Sequence, residues 1–196
     1  MENQSGMEDS IPNEDGAQPV KKRSILRAVI PWARDLAMSV VLAIVVILFL
    51  YQPVKVEGTS MMPALLDQDR IFINKFIYRF GLGDIHRGDM VVFWFHGEPS
   101  KSYIKRVIGL PGDTIEIDKG GVIVNGQPLA EPYVPNEYRD YQSRGPEKIK
   151  PGYYYVLGDH RSSSNDSRSW GQVPREYIYG KAVFVYWPLQ KIGLLN

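Results

Sequence analysis

Three stretches of this chain hold residue types that could carry a reaction. The first offers a hydroxyl: Ser60, in Val56-Glu57-Gly58-Thr59-Ser60-Met61-Met62-Pro63-Ala64-Leu65-Leu66. Gly58 lets the backbone approach another segment closely, and Pro63 keeps the stretch from running on as a central strand. The serine is therefore presented on a bent, exposed loop, although Gly-Thr-Ser is also ordinary turn composition. The second offers an amine: Lys105, in the strand-like run Ser102-Tyr103-Ile104-Lys105-Arg106-Val107-Ile108-Gly109. In a strand, Lys105 shares a face with Tyr103 and Val107, and Arg106 shares the other with Ile104 and Ile108. A solvated lysine is neutral about 4 times in 10,000 at pH 7, whereas burial that lowers its pKa to about 8 makes roughly a tenth neutral, at a cost of roughly 3 kcal/mol. A buried Lys105 could then accept a proton, while a lysine on a solvated sheet edge could not. The third stretch, residues 158–171, runs Gly158-Asp159-His160-Arg161-Ser162-Ser163-Ser164-Asn165-Asp166-Ser167-Arg168-Ser169-Trp170-Gly171. A loop so dense in hydroxyls and opposite charges suits either a hydrogen-bond network around a site or a self-satisfied structural loop.

Other chemistries are excluded by composition or by geometry. Cysteine is absent, which removes disulfides, thiolate nucleophiles and Cys-ligated zinc. The histidines His86, His96 and His160 do not pair at metal-ligand spacing, so neither a metal nor a cofactor is expected. A net charge of +1 gives no field suited to nucleic acid. Ser102-Tyr103-Ile104-Lys105 matches an S-x-x-K string, but on a strand positions three apart point to opposite faces. Arg87-Gly88-Asp89, just before an apolar run, reads as a turn.

The elements that position these residues follow from hydropathy. Residues 1–23 are a polar, acidic tail expected to be disordered and cytoplasmic. Lys21, Lys22, Arg23 and Arg27 flank an expected membrane-spanning helix at 24–52, whose apolar run from Leu36 to Tyr51 covers roughly 24 Å. Starting that helix at Pro31, a favoured first position, sets Trp32 and Tyr51 about 28 Å apart as interfacial aromatics. A cleaved secretory signal would need a small-x-small site, which 48–53 lacks, and a buried core helix would need a polar face. Basic residues before the span place everything after it across the membrane.

From 53 to 196 the period changes to short β-branched and aromatic runs separated by Gly, Pro, Asn and Asp, so an all-β extracytoplasmic domain is expected. Asp118-Lys119-Gly120-Gly121 and Val124-Asn125-Gly126-Gln127 read as hairpin turns. Residues from about 113 to 152 are expected to form a β-rich insertion, of which 129–150 is a long Pro-, Tyr- and charge-rich excursion. The fold class is therefore mainly β, with one N-terminal transmembrane helix.

Taken together, G-T-S-M-M-P at 58–63, Y-I-K-R-V-I-G-L-P-G-D at 103–113 and G-D-H-R-S-S-S-N-D-S-R-x-W-G at 158–171 resemble the bacterial type I signal peptidases, or leader peptidases. The resemblance spans the apolar helix and nearly all that follows. It implies a membrane-bound serine endopeptidase that uses a Ser-Lys dyad to remove signal peptides from exported preproteins after small residues of the A-x-A type. By position, Ser60 would be the nucleophile and Lys105 the general base. Ser164 would orient the amine, with Asp166, Arg168, Asp159 and Arg161 bracing the loop. The oxyanion would be held by the Ser60 amide, with Gly58 standing where some members carry a serine hydroxyl. His160 stands where an asparagine is common and is expected to be a loop residue. Val56, Met61, Leu65, Tyr103 and Ile104 would line pockets for small side chains. Signal peptides, the lipid bilayer and, transiently, the secretion machinery would be the partners, with no nucleic acid. Met61, Met62, Phe76, Ile77, Phe80 and Leu82 are candidates for a surface that dips into the bilayer, or for core.

Two other readings use the same residues: a self-cleaving Ser-Lys protease of the damage-response repressor type, which would carry a DNA-binding segment where this chain has a span, and a non-catalytic tethered β-domain that binds extended peptides.

Overall fold

The apolar run that begins at Leu36 is extended toward the N-terminus by Ile25-Leu26, Ala28-Val29-Ile30 and Trp32-Ala33, and the whole forms a helix of 26 residues, α1, Ile25–Leu50. The computed structural model describes residues 25–79, 83–95 and 98–195, so the tail at 1–23, Phe80, Leu82 and His96 lie outside the described residues. Within α1, Val29–Ile47 is long and apolar enough to cross a membrane, with mean hydropathy 1.9. The helix starts six residues before Pro31 and carries that proline inside. A proline ring removes one backbone donor, and the apolar run on either side continues helical past it. The described residues up to Ala43 and those from Ile44 onward fall into two units.

Tyr51, expected as the interfacial end of the span, instead opens strand β1, Tyr51–Lys55. It pairs with Asn74 and meets the Phe72 ring edge-on at 6.5 Å. The chain then forms β2 (Arg70–Asn74), β3 (Met90–Phe95), β4 (Glu98–Gly109), β5 (Thr114–Asp118), β6 (Gly121–Val124), β7 (Gln127–Pro128), β8 (Arg144–Lys148), β9 (Tyr153–Leu157), β10 (Val173–Pro174), β11 (Ile178–Trp187) and β12 (Gly193–Leu194). Among the described residues the larger sheet runs β1-β2-β11-β3-β4-β9-β10, with β12 on β11, and the smaller runs β7-β6-β5-β8. The β6–β7 hairpin turns on Asn125 and Gly126 at φ 53° and 79°, the two positive values that a two-residue turn matching strand twist demands. The excursion after β7 contributes a short 3-10 turn, Asn136–Tyr138, and then β8.

Strand β3 explains how the site is built. Val92 joins a core with Val56, Met61, Leu65, Ile71 and Ile73, while Val91 and Phe93 join another with Val107 and Val156 on the opposite face. Both faces are covered, which is why Met90 to Phe93 reads as a continuous apolar run rather than an alternation. The neighbouring strand β4 inherits that cover. Its adjacent cations Lys105 and Arg106 point to opposite faces and both are buried, at 2% and 3% exposure.

Candidate active site

A hydroxyl 45 residues upstream is brought to the buried amine: Lys105 Nζ and Ser60 Oγ lie 2.6 Å apart. Lys105 is fixed by its strand, opposite Val91 of β3. Burial pushes its pKa down from an ordinary lysine's 10.5 to about 8. Asp166 and Asp159 pull in the other direction and Arg168 adds to the drop, but the loss of solvent dominates. The Tyr103 ring stands 5.7 Å from Nζ.

Backbone bonds shape the Ser60 loop. The Gly58 amide donates to Asp67 Oδ1 at 2.8 Å, Met62 N donates to Thr59 O at 3.0 Å, and Leu65 N donates to Met61 O at 2.9 Å. Gly58 holds φ +93°, and Met62-Pro63 is a cis peptide. Ser60 O accepts from His160 N at 3.1 Å, which ties the loop to residues 158–171. Gly158 makes that contact possible: a Cβ there would sit 2.5 Å from Ser60 O and 2.2 Å from Ser164 Oγ. Sequence reasoning passed over this glycine, whose signal was its place at the mouth of the polar loop.

The polar loop is a network, but not one closed on itself. Asp166 caps the one-turn helix Ser167–Trp170 and accepts from Gly158 N at 3.0 Å and from Arg168 Nε at 2.8 Å. Burial pushes the Asp166 carboxyl up, yet Arg168 and the Gly158 amide outweigh it and hold it below the usual carboxylate range. Asp159 takes both Nε and Nη2 of Arg106, at 2.9 and 2.8 Å. Arg161 donates to Gly158 O at 3.0 Å and pairs with Glu131, and Arg168 pairs with Asp140. Arg106, Glu131 and Asp140 were not singled out from sequence, because nothing within a few residues of them marks their partners. Ser164 Oγ is buried beside Gly158 without a well-formed hydrogen bond among the described residues.

An open groove of about 520 Å³ runs past the pair, lined by Val54, Val56, Met61, Val92, Tyr103 and Ile104, with Ser60, Lys105 and Asn165. Of the expected pocket residues, Leu65 does not reach it. It is fully buried in the core beneath, because the turn that presents Ser60 folds its apolar side inward. Met61, at 2% exposure, packs in the same core and faces the groove rather than a lipid surface. Ser102, the serine of the S-x-x-K string, accepts from Tyr179 OH at 2.8 Å instead. The His160 ring packs on Tyr138 at 4.1 Å with the rings tilted by 38°, and its Nδ1 lies 3.3 Å from Thr59 O.

Residues 29–187 match the family model described as signal peptidase, peptidase S26. The chain belongs to this family. A signal peptidase I of Leptolyngbya laminosa is 41% identical over 170 residues, covering 83% of this chain and 82% of that one. Signal peptidase I T of Bacillus subtilis is 34% identical over 190 residues, covering 92% and 95%. A crystal structure of a signal peptidase I from Enterococcus faecalis, 29% identical, covers 50% of this chain and 96% of that one at a TM-score of 0.45. As a member of the signal peptidase I family the chain is a serine endopeptidase of signal-peptide removal, and the apolar helix α1 fits the family's association with membranes.

Proposed function

We propose that Ser60 is the nucleophile and a neutral Lys105 its general base, cutting signal peptides from exported preproteins after small residues of the A-x-A type. The observation that carries this reading is the 2.6 Å approach of an amine that is 2% exposed to the serine hydroxyl. An uncharged Nζ accepts the Ser60 proton as Oγ attacks the scissile carbonyl, and the ammonium so formed protonates the leaving amine. Water then attacks the acyl-enzyme, with Lys105 again accepting its proton. The Gly58 amide is already engaged by Asp67, which leaves the Ser60 amide, and Thr59 beside it, as donors to the oxyanion; neither amide has a partner among the described residues.

Substrate placement follows from unpaired strand edges. In β4, residues 102–105 pair with β3 on one side, and pairing with β9 on the other begins at Arg106. An extended peptide can bond to this free edge and send alternate side chains into the groove. Met61, Val92 and Ile104 leave it room for small side chains. Basic residues ahead of α1 support a cytoplasmic tail at 1–23, a span at 24–52 and an extracytoplasmic catalytic domain at 53–196 with its insertion at about 113–152. The lipid bilayer and the secretion machinery are the partners this arrangement suggests.

The test is cleavage of a purified preprotein by the full chain in detergent. Ser60→Ala and Lys105→Arg are each expected to abolish cleavage without unfolding, since arginine keeps the charge and supplies no neutral amine. Turnover by Ser60→Ala would reject the nucleophile.

A further inference from the structure

The segment between β7 and β8 lies against the catalytic loop at three points and against Arg106 of β4 at a fourth. Glu131, 7% exposed, takes Nη1 of Arg161 at 3.0 Å and pairs with its second terminal nitrogen as well. Asp140 pairs with Arg168. The Tyr133 ring covers the Arg106 guanidinium at 4.2 Å, and Tyr138 packs on the His160 ring. Of the residues contacted, Arg106 adjoins Lys105 in β4, the His160 amide donates to Ser60 O at 3.1 Å, and Arg161 and Arg168 act through the loop backbone.

The two arginines pass the contact on through backbone carbonyls. Arg161 Nε donates to Gly158 O at 3.0 Å, and Gly158 is the residue packed against Ser60 O and Ser164. Arg168 Nη2 donates to Arg161 O at 2.8 Å and to Ser164 O at 3.4 Å. Both guanidinium groups are buried, at 3% and 8% residue exposure. Loss of Glu131 leaves Arg161 a buried cation without its ion pair, and loss of Asp140 leaves Arg168 with Asp166 alone to fix it, so the hold of each on those carbonyls weakens. We propose that Glu131 and Asp140 are positioning residues for the reaction, each holding an arginine of the 158–168 loop and, through it, the wall against which Ser60 and Lys105 meet. This rests on the reading of Lys105 as the base.

The site would respond in two ways. Misplacement of the reacting pair lowers kcat while leaving the groove, and hence KM, in place. Loosening of the wall also lets water reach Lys105, whose charged neighbours are Asp166, Asp159 and Arg168. Solvent relieves the penalty on the ammonium, so the acid limb of the pH profile moves upward.

The experiment compares Glu131→Gln and Asp140→Asn with the wild-type full chain in detergent, using preprotein cleavage from pH 6 to 10. Asp113→Asn, which breaks the 2.9 Å pair with Arg87 and touches none of these residues, controls for general loss of stability. Each test variant is expected to lose roughly 10- to 100-fold in kcat at constant KM, with its acid limb raised, while Asp113→Asn keeps both. Glu131→Gln removes one partner of a fully buried pair; if it does not fold, Asp140→Asn decides, because Arg168 keeps Asp166 as a partner. Wild-type kcat and an unmoved limb in folded Asp140→Asn, or equal losses in Asp113→Asn, would overturn the proposal. A wild-type profile without an acid limb would count instead against Lys105 as the base, and the kcat comparison would still decide the positioning roles.

Discussion

Replacing Lys105 by methionine, a flexible side chain of similar length that carries no charge, separates what this residue does for the fold from what it does for the reaction. The folded chain holds an amine whose pKa has fallen from 10.5 to about 8, and that drop corresponds to about 3 kcal/mol spent on keeping the group in place at neutral pH. Because the folded-state value is the lower one, the unfolded chain binds the extra proton between about 8 and 10.5. Stability therefore rises with pH through that window, the penalty is complete below about 8, and it is gone above 10.5. Methionine removes the penalty but also the contact with Ser60, worth about 1 kcal/mol. The balance at pH 7 is a variant more stable by about 2 kcal/mol. For a unit of this size that is a rise of roughly 4 to 8 °C in Tm. At pH 10 the lysine penalty is below about 1 kcal/mol and the advantage of methionine disappears. Thermal unfolding of the full chain in detergent, followed by circular dichroism at both pH values, measures this, and preprotein cleavage is expected to be absent throughout. Equal or lower stability of Lys105→Met at pH 7, or a Tm difference that does not change with pH, would refute the argument that burial depresses this amine.

The remaining expectations concern the reaction and its supports. For the wild-type chain, kcat/KM should fall about tenfold per pH unit below about 8, as the neutral amine becomes scarce, and a flat profile from 8 down to 6 would contradict the assigned base. Gly158→Ala places a methyl 2.5 Å from Ser60 O, so the loop must shift. About 1 to 3 kcal/mol of stability and roughly 100-fold in kcat should be lost, read by denaturant unfolding and single-turnover cleavage. His160→Ala gives up its ring contact with Tyr138, about 1 kcal/mol, and should keep near-normal turnover. A loss as deep as that of Ser60→Ala would instead point to a serine-histidine mechanism.

Much of the architecture was legible in local patterns. The β3 run, the β9 run and both glycine-bearing hairpin turns occur where their composition placed them. The Ser60 turn, the Lys105 strand and the acid-arginine loop could each be recognised as chemically loaded, because residue type and near-neighbour spacing carry that information. Boundaries decided by distant pairing were less legible. Tyr51 looks like the end of an apolar helix until Asn74 offers it a strand partner, and Leu65 looks like a pocket residue until the turn folds it into the core.

The chain alone determined which elements form, which residues could react and the family they resemble, since dihedral preferences and hydrophobic period act over a few residues. Tertiary structure decided whether the reaction is possible. Lys105 and Arg106 are adjacent and both charged in water at neutral pH; residue type makes the lysine the one that can be neutralised, but not whether it is. Strands β3, β9 and the 158–171 loop close over both, pairing Arg106 with Asp159 while leaving Lys105 against a serine. The tuning of that amine comes from water excluded by residues far away in sequence, a quantity that exists only once the sheet is covered on both faces.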